Sequence, residues 1–159
     1  MNKVFLRMGN LAIATEPSEI TTVLGSCVAV CIWDYRKGTG GMIHFKAPRV
    51  PANREPSNMY GEVAIRNLIQ SLLRKGSRKP DLRAMLFGGG SVIDLAKGQP
   101  NVGRENIRFA QEELEREGFA PSISHVGGHS GRKITFNTMD GSITVSRVKP
   151  LGAFIRGKA

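Results

Sequence analysis

Short apolar runs, set apart by polar or glycine-containing turns, open this chain and read as β-strands at residues 4–6, 11–14 and 20–24. Two longer runs follow, Val28-Ala29-Val30-Cys31-Ile32-Trp33 and Gly40-Gly41-Met42-Ile43-His44-Phe45. Between them, Asp34-Tyr35-Arg36-Lys37-Gly38-Thr39 has the composition of a hairpin loop. The period then changes. Met59, Val63, Ile65, Leu68, Ile69, Leu72 and Leu73 approximate one face of a helix over residues 57–75, with Ser57 as its N-cap and Arg74-Lys75-Gly76 as its end. Residues 82–87 predict a buried strand that runs into Gly88-Gly89-Gly90-Ser91. A second helix is expected over residues 104–117, with Ile107, Ala110, Gln111 and Leu114 inward, a solvated face of glutamates and Gly118 as its stop. Strands at 122–126, 133–138 and 142–148 close the pattern, the last two joined by the turn signal Asp140-Gly141.

Strands before, between and after two helices, without strict βαβ alternation, predict an α+β domain. Its sheets should be mixed and mostly antiparallel, flanked by the two helices. With 159 residues and no internal repeat or linker, one domain over residues 1–149 is expected, followed by a mobile basic tail at 150–159. Residues 46–56 contain Pro48, Pro51 and Pro56 and predict an irregular connector leaving the His44 strand, placed to wall a site.

The hairpin fixes a geometry. If Asp34 lies opposite Thr39, then Ala29 lies opposite His44 and Cys27 opposite Lys46. Cys27 and His44 are then diagonal neighbours on one face, about 7–8 Å apart at Cα. Only a one-residue slip would send them to opposite faces.

Composition narrows the chemistry. Cys27 and Cys31 stand four apart on one strand, about 13 Å, too far for a disulfide or for joint ligation of one zinc. Two cysteines make no disulfide scaffold, which suits a reducing cytoplasm. The amino terminus lacks the uninterrupted apolar core of a signal peptide, and no stretch is long enough to insert in a bilayer. The formal charge of +10 implies acidic partners. Few aromatics and no recognition helix or finger motif argue against nucleic acid. The glycine run after residue 87 is not a phosphate loop, because no Gly-Lys-Ser/Thr follows it.

The alternatives at each residue differ in force. Cys31, between Val30 and Ile32, reads as a small core residue. Cys27 follows Gly25 and Ser26, a flexible turn whose N–H groups are suited to hold an oxyanion. A thiol with an imidazole beside it is the minimum for covalent hydrolysis at an acyl carbon, the imidazolium favouring the thiolate. His44 reads equally as a core histidine. Thr21, one strand earlier, offers a hydroxyl to orient it or the substrate amide, and is otherwise an ordinary strand threonine. His125 and His129 compete for the role of base, without local pairing to place them.

These residues resemble the CheD family of bacterial chemotaxis. The likeness rests on Thr21 ahead of Leu24-Gly25-Ser26-Cys27-Val28-Ala29-Val30, on Gly41-Met42-Ile43-His44 and on Phe87-Gly88-Gly89-Gly90. Val102-Gly103 with Asn106, and Gly127-Gly128 before Gly131-Arg132-Lys133-Ile134-Thr135-Phe136-Asn137, extend it over nearly the whole chain. One departure stands out: Glu105 precedes Asn106 where the family usually has a basic residue. The resemblance implies a fold like the catalytic domain of cytotoxic necrotizing factor toxins. It implies hydrolysis of chemoreceptor glutamine side chains to glutamate, without metal or organic cofactor, by Cys27, His44 and Thr21. It also implies binding to receptor cytoplasmic helices and, for many members, to the phosphatase CheC. A non-catalytic adaptor that binds receptor helices or such a phosphatase is the competing reading.

Overall fold

Alternation along the apolar runs decides which side of each strand is buried, and the central strand of this protein is buried on both. The computed structural model describes residues 1–91 and 101–148. Its strands are β1 (Asn2–Phe5), β2 (Leu11–Ala14), β3 (Ser18–Leu24), β4 (Val28–Asp34), β5 (Thr39–Phe45), β6 (Leu82–Gly88), β7 (Ser122–Val126), β8 (Gly131–Asn137) and β9 (Ile143–Val148). Its helices are α1 (Gly61–Arg74) and α2 (Val102–Arg116). The expected tail at 150–159 lies outside the described residues.

The strands form two sheets, a four-stranded one ordered β1-β3-β8-β9 and a five-stranded one ordered β2-β5-β4-β6-β7. Pairing is antiparallel except for β1 with β3 and β6 with β7. The five-stranded sheet is the middle of three layers. Val28, Val30, Ile32, Ile43 and Phe45 face α1 and α2, meeting Ile65, Leu68, Leu72 and Leu114. Ala29, Cys31, Met42 and Phe87 face the other sheet, meeting Ile20, Leu24, Ile134 and Phe136. This is the α+β class that the chain pattern predicts.

The β4–β5 hairpin has the expected register, with Asp34 opposite Thr39 and Ala29 opposite His44. The polar loop closes it because Asp34, wholly buried, accepts from the Arg36 and Lys37 N–H groups and from the Ser77 hydroxyl.

The start of α1 corrects an expectation. Ser57 is not its N-cap; its hydroxyl accepts from Met59 N–H in a turn before the helix, and Tyr60 occupies the cap without a side-chain bond. Backbone carbonyls of the proline-rich connector do the capping instead: Gly61 N–H donates to Ala47 and Glu62 N–H to Pro48. Helix α2 begins two residues earlier than predicted, where the Asn101 side chain accepts from Arg104 N–H. Gly118 stops it with φ of 92°.

Candidate active site

Cys27 stands one residue before β4, at the end of the turn that brings β3 into the hairpin. Three successive carbonyls of that turn are tied down. Gly25 accepts from Gly90 N–H at 2.9 Å, Cys27 accepts from Gly89 N–H at 2.8 Å, and Ser26 accepts from the Asn106 amide at 3.0 Å. Among the described residues, the Ser26 and Cys27 N–H groups have no partner. Two donors beside the thiol are thus open to an incoming acceptor, a condition an oxyanion site must meet.

The strand end that fixes them is shaped by glycine. Gly103, in the first turn of α2, packs so closely that a Cβ there would stand 2.4 Å from the Gly89 carbonyl. One turn further on, Asn106 is wholly buried and donates both amide hydrogens, to the Ser26 and Lys46 carbonyls at 3.0 Å each. It thus clamps the residue before Cys27 to the residue that follows β5. Its Oδ1 has no partner among the described residues.

His44 projects from β5 into the space between the sheets and is 5% exposed. Its Nδ1 lies 2.7 Å from the Thr22 hydroxyl, which also lies 2.7 Å from the Leu6 carbonyl. A carbonyl only accepts, so the single Thr22 hydroxyl proton goes to Leu6. Thr22 then accepts from His44, which places the imidazole proton on Nδ1 and leaves Nε2 with its lone pair. Neutral His44 is thereby held in the tautomer of a base acting through Nε2.

The hydroxyl on His44 is one residue from the one expected. Side chains alternate along β3, and Ile20, Thr22 and Leu24 face the other sheet while Thr21 faces away. Thr21 bonds the Thr135 hydroxyl at 2.9 Å, its register partner on β8. Thr22 was legible in principle. It shares the parity of the buried Ile20 and Leu24, and a threonine on such a stripe needs a polar partner.

Cys27 and His44 share a face, as the register requires, but their side chains are not hydrogen-bonded. The thiol instead approaches Met8 Sδ at 3.5 Å. Met8 arrives on the β1–β2 loop, which is anchored beside the histidine by Gly9 N–H donating to the His44 carbonyl at 2.7 Å. Gly9 has φ of 84°, and a Cβ there would meet Met59 Sδ at 2.6 Å. The sequence carries no signal for Met8.

Burial sets the charge state of the pair. Desolvation pushes the Cys27 thiol above its ordinary value, with Lys46 partly opposing it. Desolvation also pulls His44 down to about 4. Both shifts favour the neutral forms, thiol and imidazole, over an ion pair.

The other candidates lie elsewhere. Cys31 is wholly buried between the sheets and raised by desolvation, as a core thiol. His125 and His129 line a cavity beyond Gly127 whose wall does not include Cys27. Glu105 is exposed in the first turn of α2, where an acidic side chain suits the helix dipole.

Residues 47–147 match a family model described as CheD chemotactic sensory transduction. A protein of Trichlorobacter lovleyi, named "Probable chemoreceptor glutamine deamidase CheD", is 40% identical over 149 residues, covering 94% of this chain and 92% of that protein. One of Anaeromyxobacter dehalogenans, named "Probable chemoreceptor glutamine deamidase CheD 1", is 41% identical over 146 residues, with 92% and 85% covered. One of Rhodospirillum rubrum carrying the first of these names is 38% identical, with 94% and 84% covered.

Proposed function

The chain belongs to the CheD family, and from that premise we propose that it is a chemoreceptor glutamine deamidase, a cysteine-dependent amidohydrolase acting on protein side chains. The observation that carries the mechanism is the hairpin register that sets Cys27 and His44 on one face, with His44 oriented by Thr22. Once the thiol turns from Met8, His44 Nε2 takes its proton and the sulfur attacks the glutamine carboxamide carbon. The Ser26 and Cys27 N–H groups receive the oxyanion; each such donor contributes about 2.7–4 kcal/mol to transition-state stabilisation. As the tetrahedral centre collapses, imidazolium Nε2–H protonates the departing nitrogen and ammonia leaves. Water, deprotonated by His44, then cleaves the thioester to give glutamate and restore the thiol.

Thr22 orients the imidazole in this reading, while Thr21, the threonine that the family resemblance puts in the site, bonds Thr135. Cys27 and Cys31 both carry free thiols, in keeping with a cytoplasmic site of action. The net charge of +10 suits receptor helices rich in glutamate. A CheC-type phosphatase is the second partner that family membership suggests.

The test is ammonia release from receptor cytoplasmic fragments, with the modified residues located by mass spectrometry. Cys27→Ala and His44→Ala should each abolish release while keeping the fold; full activity in Cys27→Ala would sink the mechanism. One observation favours a second reading, a non-catalytic adaptor: the thiol is turned to Met8 rather than to His44. A Cys27→Ala protein that restores chemotaxis in cells would establish it.

A further inference from the structure

Two arginines face each other at the end of the inter-sheet core. Along β8 the buried parity runs Phe136, Ile134 and then Arg132, and along β9 the paired positions are Ile143, Val145 and Arg147. Arg132 also stands opposite Leu24 of β3, three residues from Cys27. An apolar stripe thus ends in a directly opposed pair of like charges, which is destabilising in a sheet unless something offsets it. Arg132 is 9% exposed and uses one guanidinium N–H on the Gly127 carbonyl. Among the described residues, no carboxylate forms an ion pair with either arginine. Burial and the neighbouring Arg147 both weaken the hold of Arg132 on its proton.

A cavity of about 240 Å³ opens at this pair, lined also by His125, His129, Gly127 and Gly128 and, among the described residues, by no acidic side chain. The larger cavity beside it, about 630 Å³, shares His129 and the two glycines but has its own Glu112 and Glu115 against Arg104 and Arg108. Among the described residues, acidic side chains thus balance the arginines of the larger lining in number and are absent from the smaller one. Its wall is joined to the nucleophile's turn. Gly127 N–H donates to Gly88, Ser91 N–H to Gly128, and Gly90 N–H to Gly25.

We propose that the Arg132–Arg147 cavity binds a carboxylate side chain of the substrate protein, close to the target glutamine, and so selects glutamines in acidic surroundings. The inference rests on the deamidase reading of Cys27. Guanidinium forks match a carboxylate bidentately, and two of them side by side gain most from an anion that neutralises both. The anion arrives with the substrate because the cavity wall is hydrogen-bonded, through Gly88 to Ser91, to the turn at which the glutamine must dock.

The test is fluorescence anisotropy with the Cys27→Ala protein and two labelled helical peptides. One carries a glutamine with glutamates one turn to either side; in the other those glutamates are glutamines. The acidic peptide should bind more tightly, and Arg147→Glu should weaken it about tenfold or more while leaving the neutral peptide unchanged. Arg147 is exposed, so this variant keeps the fold. Arg132→Lys, which keeps charge but loses the fork, should weaken the acidic peptide less than Arg147→Glu does. Equal binding of both peptides, or a preference untouched by Arg147→Glu, overturns the proposal. So does Arg147-dependent binding of inorganic phosphate without a peptide preference, which would mark a site for a free anion. Ammonia release from the acidic peptide by the unaltered protein is measured alongside. If none appears while the charge preference holds, the catalytic reading fails and the carboxylate site stands.

Discussion

The two faces of β4 divide the work of this protein between them. Toward the helices the strand presents Val28, Val30 and Ile32, bulky and β-branched, packed on Ile65, Leu68 and Leu72. Toward the other sheet it presents Ala29, Cys31 and Trp33, with Cys27 just before it, in a layer that also holds Thr22, His44 and Arg132. The helix side is a conventional apolar core, in which removed volume is felt directly. The inter-sheet side leaves room for polar groups at one end, and each of them is hydrogen-bonded to a backbone carbonyl, to another side chain or to both. A strand buried on both faces can thus anchor the fold with one parity and carry chemistry with the other.

Substitutions on the two faces should separate activity from stability. The largest contrast is expected from Cys27→Ala, which should lower ammonia release by about four orders of magnitude or more. Its urea midpoint should stay close to that of the parent, because Cys27 is only half buried at the rim. Leu68→Ala, at a wholly buried position of α1, should do the reverse, with a loss of about 2–5 kcal/mol in denaturation and near-normal turnover per folded molecule. A catalytically normal but equally destabilised Cys27→Ala would erase the distinction.

The polar face should also be the acid-sensitive one. His44 takes up a proton near 6.5 when unfolded but only near 4 when folded. Its contribution to stability is complete above the unfolded value and is lost as pH falls through the folded one, about 3 kcal/mol in all. Denaturation at pH 7 and at pH 4 should show that loss, and His44→Gln should remove this component of it.

A smaller effect distinguishes two adjacent threonines. Thr22→Val removes the acceptor for His44 Nδ1–H and should lower kcat about ten- to a hundredfold, with KM little changed. Thr21→Val breaks only a hydrogen bond to Thr135 on the outward face, and should leave kcat within about twofold. The opposite ranking would return the orienting role to Thr21. Smallest of all should be Met8→Ala, which uncovers the thiol and should speed its alkylation by iodoacetamide by about a few fold.

How much of this was legible along the chain depended on how far apart the partners lie in sequence. The strands, both helices and the α+β class follow from apolar spacing and turn residues, because each is a local property of consecutive positions. The shared face of Cys27 and His44 follows in the same way, since a short loop with Asp34 opposite Thr39 fixes the parity of everything paired beyond it. The N-cap of α1 escaped that logic because backbone carbonyls of the connector replaced the side-chain cap that Ser57 was expected to supply. Asn106 was visible as a motif residue and Arg132 as part of a run, but neither had a role until Ser26, Lys46 and Arg147 were placed around them.

The sequence by itself determined the hairpin and the face that Cys27 and its candidate base share, because period-two alternation propagates from a turn without reference to the rest of the molecule. Only the tertiary structure decided that Thr22 rather than Thr21 holds His44, because that depends on which side of β3 the other sheet covers. Tertiary structure also set the tautomer through the Leu6 carbonyl, and favoured the neutral forms of Cys27 and His44 by withdrawing water from both. Desolvation comes from surroundings assembled out of distant segments, and no local pattern encodes it.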